Sequence, residues 1–394
     1  MSVDELMSAL IDFRLATAEQ LREALPTAPQ SAMESAAAFA GWLVESGLIT
    51  AFQSRKLLSG HGASLVNEPY EIRDLLGRGG MGSVYLAWDR KFRRFAALKI
   101  LGRSQKEHER GQLRFQREIE VSKRLDHPKL ARGFEAGMWK SSPFLAMEYV
   151  PGPTLYQLVK RHGIMDPVWA SLWIADIADA LDYVHQGGVI HRDLKPSNVV
   201  VTPDGAAKLL DLGLARWMHD DHNEERLLGR GRIVGSFDYM APEQGIDSAR
   251  ADARSDIYSL GCVFYFLLAG HPPYHHVPER LQKIEAHRSV NPTPINVIRP
   301  GIPALLVDAL HRMLEKEPGR RFSVAAEVRD LLLDLADQYL DGGAPLPLPD
   351  EWFAGLPVSK PGESGVAVQD ALEGGFWKRI GVGFQRLFGR SEAR

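Results

Sequence analysis

The chain has 394 residues, too many for one ordinary hydrophobic core, so two or three folded units are expected. Its hydrophobic share of 45% and charged share of 25% match soluble globular proteins, and a formal charge of −3 excludes a whole-chain basic signature of nucleic-acid binding. The single cysteine, Cys262, excludes an internal disulfide and fits a reducing, cytoplasmic setting.

The N-terminal MSVDELMSALIDF carries acids early and lacks the basic-then-apolar pattern of a secretory signal. Residues 1–63 read as a small helical domain with a regulatory or partner-binding role. Thr17-x-x-Gln20 and Thr50-x-x-Gln53 are capping-box patterns at helix starts. Their surroundings, LATAEQLREAL and LITAFQSRKLL, are alike, either as a duplicated helix pair or as a chance likeness of two short helix starts. Gly60 and Gly62 close this unit.

From Tyr70 the pattern turns to short β-like runs, YEIRDLLG, GSVYLAWD and RFAALKIL. A helix is expected over 107–125, then HPKL and a strand pair ending in FLAMEYV. From 154 to 338 the period is helical. The apolar run YSLGCVFYFLLAG is too short for a membrane span and reads as a buried helix. The class is α+β, with a small β-rich lobe (70–150) followed by a larger α-rich lobe (151–338). Residues 341–375 are rich in Pro and Gly and read as a linker. In 376–390, Phe376, Ile380, Phe384, Leu387 and Phe388 share one helical face, with Lys378, Arg379, Arg386 and Arg390 elsewhere. Such a basic amphipathic helix suits docking on another protein, on the folded body of this chain, or peripherally on an anionic membrane.

Four segments carry chemistry. In LLGRGGMGSVYLA, Gly77, Gly79 and Gly82 form G-x-G-x-x-G between two strand-like runs. Glycines there let main-chain amides approach phosphates, and the setting is a hairpin rather than the strand-to-helix turn of a dinucleotide fold. Lys99 sits in the apolar strand FAALKIL. Alone it reads as a snorkelling edge lysine; with Glu118 in FQREIEVSKRLDHP it has a carboxylate to orient it toward phosphates. In GVIHRDLKPSNVVV, Asp193 can accept a proton from an attacking hydroxyl, Lys195 can steady a transferring phosphoryl group, and Asn198 can hold a metal ion. Asp211 ends the strand AKLLD before Leu212-Gly213, a placement that suits a Mg²⁺ ligand or, taken alone, an ordinary turn.

In this order, with Ala241-Pro242-Glu243 following, these segments resemble the protein kinase family over about residues 70–335. The resemblance implies a two-lobed protein kinase fold, here with an N-terminal all-α extension, and ATP as phosphoryl donor with Mg²⁺, or alternatively Mn²⁺. It implies that Lys99, paired to Glu118, contacts the phosphates, that Asp193 is the base, and that Asn198 and Asp211 hold the metal. Leu76 and the glycines would cover the nucleotide, with Val84, Ala97 and Val200 around the adenine ring. Met147 would lie behind the ring, and Glu148 to Val150 would form the hinge. Glu243 would pair with Arg321. Lys195 and Gly235-Ser236 are similar to serine/threonine kinases, so the implied substrate is a protein hydroxyl; a homodimer is a further option. LGRGGMGSVYLAWD resembles bacterial members, and GLITAFQSRKLLSG resembles a helical unit of planctomycete-type kinases. A pseudokinase scaffold that binds partners without phosphoryl transfer, and a small-molecule phosphotransferase, are the rival readings. Leu212 stands where the family usually has Phe.

From Asp211 to Gly231 there is no Ser, Thr or Tyr, and up to Glu243 only Ser236 and Tyr239 carry hydroxyls. Many relatives with Arg before the catalytic Asp are switched on by a phosphate in this segment. Independence from such phosphorylation is therefore expected, either because Asp220, Asp221, Glu224 or Glu225 supplies the negative charge to Arg192 and Arg216, or because these acids are simply solvated.

Overall fold

The computed structural model describes residues 1–212, 216–217, 236–246 and 250–340, and 343, 345, 347–354 and 356 beyond them. The chain divides into two compact units. The first comprises Met1–Gln112 and Gly133–Tyr149; the second comprises Leu113–Arg132 and Val150–Val358.

The first unit opens with four helices, α1 (Val3–Asp12), α2 (Ala18–Ala24), α3 (Ala36–Glu45) and α4 (Ala51–Leu58). Capping boxes start α2 at Thr17 and α4 at Thr50, both with reciprocal bonds to the third residue, Gln20 or Gln53. A six-stranded antiparallel sheet follows. Its strands are β1 (Val66–Asn67), β2 (Tyr70–Arg78), β3 (Gly82–Asp89), β4 (Arg94–Leu101), β5 (Gly133–Trp139) and β6 (Ser142–Glu148), in the order β1-β2-β3-β4-β6-β5.

Register decides what each face of this sheet does. Val84 lies opposite Lys99 and Lys99 opposite Leu145, while Leu86 lies opposite Ala97 and Ala97 opposite Met147. Directly opposed residues point to the same side of a pleated sheet. Val84, Ala97, Lys99 and Met147 therefore share one face. The alternate residues Ala87, Ala96, Leu98, Phe144 and Ala146 face the other way, and they form one apolar core with Leu6, Leu10, Phe39 and Leu43 of the helices. Residues 1–63, read from sequence as a domain of their own, thus share their core with the sheet. Each large side chain fully buried there contributes about 1.5–3 kcal/mol.

The second capping box also docks the helices. Gln53 is fully buried. Its Oε1 accepts from Thr50 N (2.9 Å), and its Nε2 donates to Glu71 Oε1 and to the Ile72 carbonyl, both at 2.9 Å. Thr50 Oγ1 donates to the Arg73 carbonyl at 2.5 Å. Arg73 and Arg90 neutralise the buried Glu71 at 2.8 Å each. The first box makes no such contact: Thr17 and Gln20 are exposed.

The second unit is mainly helical: α6 (Glu109–Arg124, after the short α5, Arg103–Lys106) from Leu113 on, then α7 (Leu155–His162), α8 (Pro167–Gln186), α9 (Ala253–Ala269), α10 (Arg280–Ser289), α11 (Ile295–Ile298), α12 (Ala304–Met313) and α13 (Ala325–Leu340). Helix α9, the apolar run around Cys262, is buried almost throughout and packs on α8, where Trp173, Ile174 and Ile177 lie at the centre. Short strands β7 (Val189–Ile190), β8 (Val199–Val201), β9 (Ala207–Leu209) and β10 (Arg216–Trp217) pair as β7 with β10 and β8 with β9. Leu348, Trp352 and Phe353, inside the stretch expected to be linker, pack against this core, with Trp352 stacked on His162 at 4.9 Å. The expected helix at 376–390 lies outside the described residues. Among the described residues, no helix is long and apolar enough to cross a membrane.

Gln53→Ala removes two bonds to β2 and leaves the Glu71 carboxylate short of a donor. It is expected to lower stability by about 1–3 kcal/mol, read as a lower urea midpoint with an unchanged slope. An unchanged midpoint would show that the network does not hold helices to sheet.

Candidate active site

In the first unit, β2 and β3 meet in a tight hairpin closed by Gly79 N to Gly82 O (2.8 Å) and Gly82 N to Gly79 O (3.2 Å). The glycines differ in what requires them. A Cβ on Gly82 would lie 2.0 Å from the Ile100 carbonyl oxygen, so that glycine is demanded by the neighbouring strand. A Cβ on Gly77, Gly79 or Gly80 would meet nothing. The protein's own packing does not need those three to be bare, and without side chains they let a ligand come close to the main chain. Leu76 is exposed on the strand leading into this hairpin, whereas Lys99, Ala97 and Met147 are buried on the sheet face that also bears Val84; Glu148 ends β6.

In the second unit, Asp256 builds the loop that carries Asp193. It is fully buried near the start of α9. Its Oδ2 accepts from His191 N (2.8 Å) and contacts His185 Nε2 (2.8 Å), and its Oδ1 accepts from Arg192 N (2.8 Å). Burial alone would raise its pKa. The bond with His185, the nearby imidazoles and the Arg192 amide outweigh that and hold the carboxyl below its ordinary value, so it stays ionised. The bond to Arg192 N fixes a backbone with φ of 64°, a region costly for a side-chain-bearing residue.

That turn delivers Asp193. Its Oδ2 accepts from Lys195 Nζ at 2.6 Å, and its Oδ1 accepts from Ser236 N (3.0 Å) and Ser236 Oγ (3.1 Å). Asn198 Nδ2 donates to the Asp193 carbonyl (3.1 Å), and the Asn198 carbonyl accepts from Leu210 N (2.8 Å). Because β8 pairs with β9 through Val199 opposite Leu209, Asn198 sits across from Leu210, and Asp211 is the next residue. Asp193, Lys195, Asn198 and Asp211 are thus gathered at one end of a short hairpin. Val150 and Val200 join Ala131 in a small apolar cluster beside it, and Glu118 is buried on α6.

Segment 236–246 is braced from below. Arg321 meets Glu243 through two parallel bonds of 2.7 and 2.9 Å, and Ser255 Oγ adds a third at 2.6 Å. The remaining Arg321 donors go to the carbonyls of Glu315, Lys316 and Arg254. Gln244 Nε2 reaches the Arg192 carbonyl at 3.1 Å. Leu212 is buried within the large core, so an aliphatic side chain fills that position. The main chain of Arg216 pairs with Ile190. The acidic run at 220–225 and Gly235 lie outside the described residues.

Asp256 in SDIYSLGC is among the positions that carry the family resemblance in the sequence, but its partners, and the roles of His185 and Gln244, were missed. An aspartate opening an apolar helix looks like an ordinary cap, and its partners lie more than sixty positions away. The one available signal was the buried setting of SDIYSLGC.

The protein kinase domain model matches residues 70–332. The chain is 35% identical over 313 residues to serine/threonine-protein kinase PknB of Mycobacterium leprae, covering 78% of this chain and 49% of that protein. It is also 35% identical over 262 residues to serine/threonine-protein kinase PknD of Mycobacterium tuberculosis, covering 66% of this chain and 38% of that protein. The chain thus spans about half or less of the length of these relatives. Among solved structures, the crystal structure of the Mycobacterium tuberculosis PknI kinase domain matches with a TM-score of 0.54 at 30% identity, over 69% of this chain and 98% of that one.

Arg321→Ala would strand the buried Glu243 carboxylate. It is expected to cost about 3–5 kcal/mol, read as a fall in the thermal or urea midpoint. A loss below about 1 kcal/mol, the size of a surface pair, would contradict this account of the brace.

Proposed function

The chain belongs to the protein kinase family, and on that footing we propose that it is an ATP-dependent serine/threonine protein kinase that does not depend on phosphorylation of the segment after Asp211. The observation that carries the proposal is the Asp193 carboxylate, held by Lys195 and Ser236 on a loop fixed by Asp256, with Asn198 and Asp211 beside it.

In this reading Asp193 orients the substrate hydroxyl and accepts its proton; of the roughly four acceptor sites of a carboxylate, three are taken by Ser236 and Lys195, which leaves one on Oδ2. Lys195, at 2.6 Å from the same carboxylate, supplies positive charge where the phosphoryl group passes. The residues fit the implied nucleotide and ion. The bare Gly77, Gly79 and Gly80 let phosphates come close to the main chain, and Asn198 with Asp211 offers the few oxygen donors Mg²⁺ needs when phosphates complete its shell, Mn²⁺ being the alternative. Bound ATP supplies the phosphoryl group, and the metal ion neutralises charge on its oxygens. Lys99, on the sheet face opposite the helices, would contact the phosphates with Glu118 as its partner. Leu76, Val84, Ala97, Met147, Glu148, Val150 and Val200 would line the base. A reducing, cytoplasmic setting belongs to the same reading, because Cys262 is buried and has no second thiol in the chain. The basic segment 376–390 is proposed as a docking element for a protein or an anionic surface.

ATP turnover on myelin basic protein, comparing wild type with Asp193→Asn and reading phosphosites by mass spectrometry, tests the proposal. Wild type is expected to be faster by a factor on the order of 10²–10⁴, with phosphate on Ser and Thr. Equal rates would support the scaffold reading instead.

A further inference from the structure

Resting on the kinase reading, we infer that α10 positions the substrate-side loop, with Lys283 as its positioning residue acting through Asp238 and Ser236 on Asp193. The loop begins at Ser236, whose amide and hydroxyl both bond Asp193 Oδ1. It turns through Phe237 and Asp238 to Tyr239, closed by Tyr239 N to Ser236 O at 3.0 Å. The hydroxyl-free stretch before it offers no residue that a phosphate could modify to order it. The order has to come from elsewhere in the fold.

Helix α10 supplies it from one face. Arg280, Lys283, Ile284 and His287 are spaced i, i+3, i+4 and i+7, a single helical stripe. Each meets a different part of the loop. The Arg280 guanidinium lies 5.5 Å from the centre of the Phe237 ring. Lys283 Nζ is paired with Asp238; the lysine side chain is 14% exposed and the aspartate 42%, so solvent reaches the pair mainly from the carboxylate side. The His287 imidazole faces the main chain of Phe237 and Asp238. Ile284 Cγ2 sits so close that a Cβ on Gly245 would lie 2.6 Å from it.

The stripe is itself held rigid. His287 Nδ1 meets the Tyr258 hydroxyl at 3.0 Å, and Tyr258 belongs to α9, the helix that carries Asp256. Burial pushes the His287 pKa down to about 3, so its ring is neutral near pH 7 and adds no charge that competes with Lys283 for Asp238. Helix α9 therefore reaches Asp193 by two routes. Asp256 fixes the loop before it, and Tyr258 with α10 fixes the segment that bonds its carboxylate.

The test uses the full chain with Lys283→Ala, Lys283→Asp, and the swap Asp238→Lys with Lys283→Asp. Asp193→Asn runs beside them to report separately on the kinase reading. Two readouts are taken: steady-state kinetics on myelin basic protein, and hydrogen exchange of the amides at 236–246. Lys283→Ala is expected to lower kcat/KM for the protein substrate roughly tenfold, leave KM for ATP within about twofold, and speed exchange at 236–246. Lys283→Asp should be worse, and the swap should restore both readouts to near wild type. The inference is overturned if Lys283→Ala leaves exchange at 236–246 unchanged, or if the swap behaves no better than Lys283→Asp. Because exchange is read without turnover, these outcomes are informative even if wild type proves no faster than Asp193→Asn, a result that would count against the kinase reading alone.

Discussion

One buried carboxylate sets the geometry of the second unit. Asp256 has no access to water and answers that isolation with bonds to two main-chain amides and a histidine. An ionised group in that position is tolerated only because each bond is short and charge-assisted. The bond to Arg192 N holds a left-handed backbone that would otherwise relax. From that turn follow the placement of Asp193, its contacts with Lys195 and Ser236, and the proximity of Asn198 and Asp211. The chemistry proposed for the site rests on a charge that never touches the reacting atoms.

The first unit uses a different device. Its sheet has two faces with different tasks, and strand register alone assigns residues to them. One face carries Lys99 with Val84, Ala97 and Met147; the other is covered by helices that share its core. A capping box that starts a helix also satisfies the strand it lies on, because Gln53 can accept with its oxygen and donate twice with its nitrogen. The strand so gripped, β2, runs directly into the glycine hairpin. Helices 1–63 therefore reinforce the element proposed to cover the nucleotide, and no separate catalytic group is needed to explain their presence.

Local chemistry was legible in the sequence where it is written in adjacent residues. Capping boxes at Thr17 and Thr50, the strands around Val84 and Lys99, and the buried helix at Cys262 all follow from short-range pattern. Asp193, Lys195 and Asn198 were legible together because they lie within a few positions of one another, while Asp211 was joined to them by the order of the motifs. Long-range roles were legible only where the family resemblance supplied them, as for Glu243 with Arg321. Nothing near Gln53 announces Glu71 as its partner, and nothing near Asp256 announces the amides at 191 and 192. The two capping boxes look alike in sequence yet only the second is buried, a difference made by what the fold lays against them. Lys283 was invisible for the same reason, since a lysine on a polar helix reads as solvated until Asp238 is set opposite it. The linker expected from Pro and Gly content conceals an anchor at Trp352, whose ring finds His162.

The central claim is that this kinase site is set by the fold without a phosphate in the segment after Asp211. The most direct measurement is the progress curve of protein-substrate phosphorylation by enzyme first stripped with a phosphatase and verified by intact mass. The account predicts full rate from the first time point with no lag. A lag that shortens with preincubation in ATP, accompanied by mass gain on this chain, would contradict it.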